Sequence, residues 1–151
     1  WLYMLKIFLI SILIFTFNIK LMSEETDYFL MLKYDKVNVR YGPDRNDQIK
    51  FIYKKKYLPI KVIDKKENFR KIIDHKNNGG WIHISQLKSP KSLIVMEDKI
   101  VFKKNSIYSK PLFKLEKGKL VLITKCKDDW CKIKTKQLTG WVNISNVWGT
   151  N

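Results

Sequence analysis

Residues Gly80-Trp81-Ile82-His83-Ile84-Ser85-Gln86-Leu87 (GWIHISQL) return sixty positions later as Gly140-Trp141-Val142-Asn143-Ile144-Ser145-Asn146-Val147 (GWVNISNV). Four residues are identical, and Ile82/Val142 and Leu87/Val147 keep an apolar type. A second match extends the register, since Asn68-Phe69-Arg70-Lys71-Ile72 answers Asp129-Trp130-Cys131-Lys132-Ile133 at an offset of 61. Two features in the same order, aromatic-x-Lys-Ile and then Gly-Trp, mark a duplicated unit. Domains of about 60 residues bury proportionally little surface, so the two halves are expected to pack together or to carry a staple.

Short β-rich runs fill the first unit: Tyr28 to Leu32, Val37 to Val39, Ile49 to Tyr53, Leu58 to Ile63, Phe69 to Ile73 and Trp81 to Ile84. Turn compositions separate them at Tyr41-Gly42-Pro43-Asp44, at Lys54-Lys55-Lys56, at 64–68 and at Asn77-Asn78-Gly79-Gly80. Residues 88–92 read as a linker, after which Ile100 to Phe102, Leu112-Phe113, Leu120 to Thr124, Cys131 to Thr135 and Trp141 to Ile144 repeat the series. Short, regular strands without helical periodicity between them predict an all-β chain of two small barrels or sandwiches, over 28–88 and 93–151.

The two cysteines, Cys126 and Cys131, flank four residues rich in turn formers. On paired antiparallel strands they face each other at a Cα separation of about 5.5 Å, which a disulfide closes in an oxidising compartment. Two thiols with neither His75 nor His83 near in sequence supply at most half a zinc shell, so no metal site is expected. The spacing also differs from the C-x-x-C of a redox centre.

Export is expected on independent grounds. Met4-Leu5-Lys6 leads into Ile7 to Phe17, which are apolar except for Ser11 and Thr16. That is the length of a signal-peptide core and short of the roughly 20 residues of a membrane-spanning helix. Residues 1–23 are thus read as a signal peptide, or as a short anchor retained at the inner membrane, with Met4 a candidate start because Trp1 opens the chain.

The formal charge is +16, spread as +9 over residues 28–88 and +7 over residues 93–151. The sequence has no alanine and is rich in Lys, Ile and Asn, a bias that AT-rich coding explains as well as selection for a basic surface. A dispersed excess favours solubility and weak attraction to anionic envelope polymers over a defined footprint. Nucleic acid is a third possible partner, on a weak pattern of basic residues among aromatics, and the export leader argues against it.

Val37-Asn38-Val39-Arg40-Tyr41-Gly42-Pro43, then Leu58-Pro59-Ile60-Lys61-Val62, Phe69-Arg70-Lys71-Ile72 and Gly80-Trp81-Ile82-His83 resemble a bacterial SH3-like (SH3b) domain, with its N-h-R-x-G-P opening and G-W-h ending. Residues 28–149 resemble the tandem version in exported proteins of Gram-negative bacteria, whose second copy carries a Cys before a Trp-Cys pair and ends in Trp-Gly, here Cys126, Trp130-Cys131 and Trp148-Gly149. The resemblance implies two SH3-like barrels, a periplasmic location and an association with cell-wall peptides. The second copy departs from the pattern, with Ile100-Val101-Phe102-Lys103-Lys104-Asn105-Ser106 in place of the N-h-R-x-G-P opening.

Physical reasons accompany the motif. Gly42-Pro43 ends a strand sharply, and Asn38 and Arg40 share the face opposite Val37 and Val39. Arg40 is expected to donate to backbone carbonyls of the facing loop. Gly80 and Gly140 belong to the repeated closing strand.

No catalytic constellation is expected. The cysteines are better spent on each other, His83 reads as a structural or edge residue, His75 lies at a hairpin tip, and Asp128-Asp129 is a turn. No cofactor is expected either. Binding remains, with Tyr41, Tyr53, Tyr57, Trp81 and Trp141 as candidate ligand-facing aromatics. Core or inter-barrel packing competes for all five and is favoured for Trp81 and Trp141. The expected partner is a peptide or cell-wall glycopeptide; the alternative is a scaffold whose barrels associate with an envelope protein.

Overall fold

The computed structural model describes residues 1, 3 and 27–150. The expected leader, residues 1–23, lies outside the described residues apart from positions 1 and 3. Fourteen strands follow: β1 (Tyr28–Leu32), β2 (Val37–Arg40), β3 (Ile49–Tyr53), β4 (Pro59–Lys66), β5 (Phe69–Ile73), β6 (Gly79–His83), β7 (Leu87–Lys88), β8 (Ser92–Val95), β9 (Lys99–Phe102), β10 (Pro111–Leu115), β11 (Leu120–Lys127), β12 (Trp130–Lys134), β13 (Thr139–Asn143) and β14 (Val147–Trp148). A 3-10 turn, Ile84–Gln86, joins β6 to β7. Among the described residues no helix is long and apolar enough to cross a membrane.

The strands form two antiparallel sheets of identical topology, β3-β2-β6-β5-β4-β1-β7 and β10-β9-β13-β12-β11-β8-β14. Period-2 alternation decides which side chains enter each core. Val37, Val39, Ile72 and Ile82 are fully buried in the first, and Val101, Ile133 and Val142 in the second. The repeated glycine follows from close approach: a Cβ on Gly80 would lie 2.7 Å from the Arg40 carbonyl oxygen, and one on Gly140 would lie 2.5 Å from Val101 Cγ1.

Four expectations are corrected. The stretch 64–68 is not a loop, because β4 continues to Lys66 and only Glu67 and Asn68 turn, with Lys66 opposite Phe69. The polar run is exposed and projects beyond the core, where backbone pairing holds the strand without burial.

Residues 88–92 are likewise not a free linker. Lys88 pairs with Met31, and Ser92 opens β8, a fully buried strand that the sequence reading passes over.

The counterpart of β2 is displaced by one residue. Arg40 pairs with Trp81 as Phe102 pairs with Trp141, so Lys99 rather than Ile100 takes the inward place of Val37. A lysine is tolerated there because its Nζ reaches Glu97 Oε1 at 3.3 Å and Ser145 Oγ at 3.2 Å.

Finally, Cys126 and Cys131 form a disulfide with Cα atoms 4.0 Å apart rather than about 5.5 Å. They are directly opposed one step from a two-residue turn, where the pairs that exchange no hydrogen bonds come closest.

The barrels pack through β8 and the end of the chain. Ile94 joins the core of the first barrel, and Trp148 packs against it. Trp148 Nε1 donates to the Pro59 carbonyl at 2.9 Å, and its ring meets Phe29 edge-on at 5.2 Å. The Ser92 hydroxyl, fully buried, donates to the Tyr57 carbonyl at 2.6 Å.

Candidate functional site

The outward face of β2, β6 and β5 is the surface that the duplicated fold leaves open in the first barrel. Asn38 and Arg40 project from β2, Trp81 and His83 from β6, and Lys71 from β5, with Phe69 of β5 on the same face but buried; Arg40 and Lys71 both pair with Trp81, and Phe69 pairs with His83. The loop after β2 completes it. Asp44 and Asp47 fold this loop on itself, since Asn46 N–H donates to Asp44 Oδ1 at 2.7 Å and Asp44 N–H to Asp47 Oδ2 at 2.9 Å. Arg40 Nη1 ties it down by donating to the Asp47 carbonyl at 2.7 Å. Gly42 is confined beside the Asp47 carboxylate, which leaves no room for a Cβ, and Pro43 is half-buried behind it.

Two depressions flank Arg40. One, of about 180 Å³, is lined by Tyr41, Lys50, Ile63, Lys71 and Trp81. Tyr41 is 63% exposed, with Lys50 Nζ 5.7 Å from its ring centre. Lys50 is itself anchored by donating to the Gly79 carbonyl at 2.9 Å. Exposed aromatic faces with held cations suit an extended, polar-backboned ligand.

The other depression, of about 320 Å³, is lined by Asn38, Arg45, Phe69, His83, Ser85 and Gln86. Gln86 Nε2 donates to Ser85 Oγ at 3.2 Å, and Ser85 presents its hydroxyl at 2.7 Å and its backbone N–H at 3.2 Å to His83 Nδ1. Nε2 faces Arg45 Nη2 at 3.3 Å. The Phe69 ring supports the imidazole edge-on at 5.1 Å. Among the described residues, neither Arg40 nor Arg45 has a carboxylate within ion-pair distance.

The five aromatic candidates do not converge. Tyr41 and Trp81 share the first depression. Tyr53 packs on the core and its hydroxyl donates to the buried Asp74 carboxylate at 3.0 Å, so burial first and then the Asp74 charge push its pKa well up. Asp74 also accepts from the backbone N–H groups of Lys76 and Asn78 at 2.9 Å each, which fixes the β5–β6 turn. Burial lowers the pKa of His75 in that turn.

Tyr57 has a positive φ of 65° at the place where the second barrel has Gly118 at 85°. The equivalence is set by matching bonds, Tyr57 N–H to Leu32 O and Gly118 N–H to Val95 O. Its ring lies beneath Lys88 at 4.6 Å and Lys56 at 5.1 Å, beside the barrel junction. Trp141 stands on the second barrel with Lys125 at 5.6 Å. Neither Trp81 nor Trp141 joins a core; Trp148 does the inter-barrel packing. Arg45 is the residue sequence reasoning missed, and His83, read from sequence as a structural or edge residue, is held by Ser85 two positions on.

The second barrel carries a different face. Phe102, Trp130 and Asn143 stand where the first has Arg40, Phe69 and His83. Phe102 and Trp130 close edge-on at 5.8 Å, and Asn143 Oδ1 accepts from Ser145 N–H at 2.9 Å. Among the described residues no cluster of His, Cys, Asp or Glu has the makings of a metal site.

Two seven-stranded antiparallel barrels in tandem, one with an open aromatic and cationic face, define an SH3-like architecture. Residues 33–89 and 108–149 match the bacterial SH3 domain family, and the chain belongs to that family. Among solved structures it is similar to NlpC2 of Trichomonas vaginalis, at 14% identity and a TM-score of 0.36, over 83% of this chain and 49% of that one. It is also similar to NlpC1 of Trichomonas vaginalis, at 12% identity and a TM-score of 0.36, over 83% of this chain and 46% of that one. The chain thus spans about half the length of these structures. Comparison with curated proteins finds no match.

Proposed function

We propose that this protein is an exported, non-enzymatic binding module of the cell envelope, and that its first barrel recognises a peptide or a cell-wall glycopeptide. The observation that carries this reading is the pairing of exposed Tyr41 with Trp81 around anchored Lys50 on the open β2–β6–β5 face. Aromatic rings and fixed donors on a strand face suit an extended chain, whose backbone carbonyls the lysines meet. Both thiols are engaged in the Cys126–Cys131 bond, and His83 Nδ1 is occupied by Ser85, which supports binding rather than nucleophilic chemistry. The disulfide and the sequence leader support a periplasmic location.

Co-sedimentation of the purified protein with isolated sacculi tests the reading. Wild type is retained, and Tyr41→Ala and Trp81→Ala each weaken retention about tenfold, as loss of a central aromatic contact does. Trp141→Ala, on the second barrel, serves as the control that retains wild-type binding. Circular dichroism checks that each variant folds.

A scaffold role is the second reading. It draws on the apolar side chains that the second barrel exposes, among them Ile107, Tyr108 and Leu138. Loss of sacculus binding by the folded wild type favours it.

A further inference from the structure

We propose that the second barrel docks an extended acidic segment of a partner protein. The segment adds along the free edge of β10, seats apolar side chains in the depression between β10 and the β12–β13 turn, and meets Lys119 and Lys136 with carboxylates. This site is independent of the envelope-ligand reading, which concerns the first barrel alone.

The two barrels differ at this end. In the first, the Tyr53 hydroxyl ties β3 to the β5–β6 turn by donating to Asp74 at 3.0 Å. The second has Leu115 in the place of Tyr53, opposite Lys99 as Tyr53 is opposite Val37. Thr135 takes the place of Asp74, because it follows Lys134, paired with Thr139, as Asp74 follows Ile73, paired with Gly79. Leucine has no polar atom to offer, and the Thr135 hydroxyl is engaged within its own turn, donating to the Leu138 carbonyl at 3.2 Å and accepting from its N–H at 3.1 Å. Without that tie, a depression of about 620 Å³ lies between β10, the start of β11 and the turn.

Three features say what fits it. Phe113, Lys114 and Leu115 all border the depression although neighbouring side chains point to opposite faces, so it runs along the edge of the strand. β10 ends its sheet and pairs with β9 alone, which leaves backbone groups on the other edge without a strand partner. Phe113, Leu120 and the exposed Leu138 offer apolar cover. Lys119 and Lys136 supply charge: among the described residues neither has a carboxylate within ion-pair distance, whereas Lys114 is matched by Asp98 at 2.9 Å. A free strand edge suits a peptide backbone rather than an acyl chain. The net charge of +16 opposes a second copy of this chain as the occupant, so the partner is acidic.

The test is an NMR titration of the full chain with a capped heptapeptide that alternates glutamate with leucine. Its companions are the same peptide with glutamine for glutamate, two versions N-methylated at alternate amides, one for each edge of the added strand, and decanoate. The glutamate peptide is expected to move the amide resonances of Phe113, Lys114, Leu115, Leu120 and Leu138. One N-methylated version is expected to bind about tenfold more weakly and the other like its parent, since only one edge pairs with β10. The double variant Lys119→Gln/Lys136→Gln is expected to weaken the glutamate peptide about fivefold and to leave the glutamine peptide unchanged. Leu115→Tyr/Thr135→Asp rebuilds the tie of the first barrel and is expected to abolish binding in a chain that circular dichroism shows to be folded; if it does not fold, the lysine variant decides alone.

Equal affinity for the glutamate and glutamine peptides, an unchanged affinity in the lysine variant, or indifference to both methylations overturns the proposal. So does decanoate binding as tightly as the peptide, or a concentration-dependent dimer that moves the same resonances. Both variants are expected to keep wild-type retention on sacculi, so failure of this site and failure of the first-barrel reading register in different assays.

Discussion

Gly80 and Gly118 are both glycines for structural reasons, but the reasons differ and so do the costs of replacing them. A Cβ on Gly80 meets the Arg40 carbonyl oxygen and Val39 Cγ1 at 2.7 Å, whereas one on Gly118 meets nothing and suffers only from its φ of 85°. Gly80→Ala is expected to destabilise by about 3 kcal/mol through overpacking. Gly118→Ala should cost about 1 kcal/mol through backbone strain. Denaturant unfolding of both variants checks the ranking, and equal losses would remove the steric explanation for the repeated Gly-Trp. Tyr53→Phe should cost about 1–2 kcal/mol, because it leaves the buried Asp74 carboxylate without one donor.

At this scale the sequence was only partly legible. The Gly-Trp repeat marks a strand, yet a tryptophan in a core and a tryptophan on an open face read alike in one dimension. Period-2 alternation separates them only once Ile82 and Val142 are known to point inward. His83 gave still less, since its meaning depends on Arg45 from a loop 38 positions away.

At the scale of elements, the β11–β12 hairpin and its β4–β5 counterpart show what differs between otherwise matching units. Each has a two-residue turn whose first residue has positive φ, Asp128 at 51° and Glu67 at 48°. The second carries Cys126 opposite Cys131 where the first has Lys65 opposite Arg70. A loop this short restricts the unfolded chain little, so reduction should cost about 2 kcal/mol and leave the barrel folded. Thermal unfolding with and without reductant checks this, and collapse of the whole chain on reduction would contradict it.

The β8–β9 turn adds a pH dependence. Glu97 is held below its ordinary value near 4.5 by hydrogen bonds from Asn146 and Lys99, and Asp98 below 3.8 by the Lys117 backbone N–H and then Lys114. Lowered carboxyl values mean that their stabilisation is present above the ordinary range and lost as pH falls through the folded values. His75 acts earlier in the same direction, since burial favours its neutral form and protonation below about 6.5 favours the unfolded chain. An acid titration followed by circular dichroism should therefore show stability falling in two stages. Most hairpins of these units were legible because turn residues punctuate them. β8 was not, because Ser92–Val95 is a short buried run that follows a proline-containing stretch with no alternation to announce it.

At the scale of the molecule, the two barrels have divergent open faces and a shared junction. Duplication was legible from the repeat, but the junction was not, since Trp148 acquires its role only from Pro59 and Phe29 in the other barrel. Trp148→Ala is expected to cost about 2–3 kcal/mol and to split one thermal transition into two. A single unsplit transition would show that the barrels cooperate without it. The central claim is that recognition belongs to the first barrel alone. Titration of the isotope-labelled protein with solubilised peptidoglycan fragments, read as amide chemical shifts, tests it most directly. The account predicts saturable shifts confined to β2, β3, β5, β6 and the loop after β2; shifts centred on Trp141 and Lys125, or none at all, would contradict it.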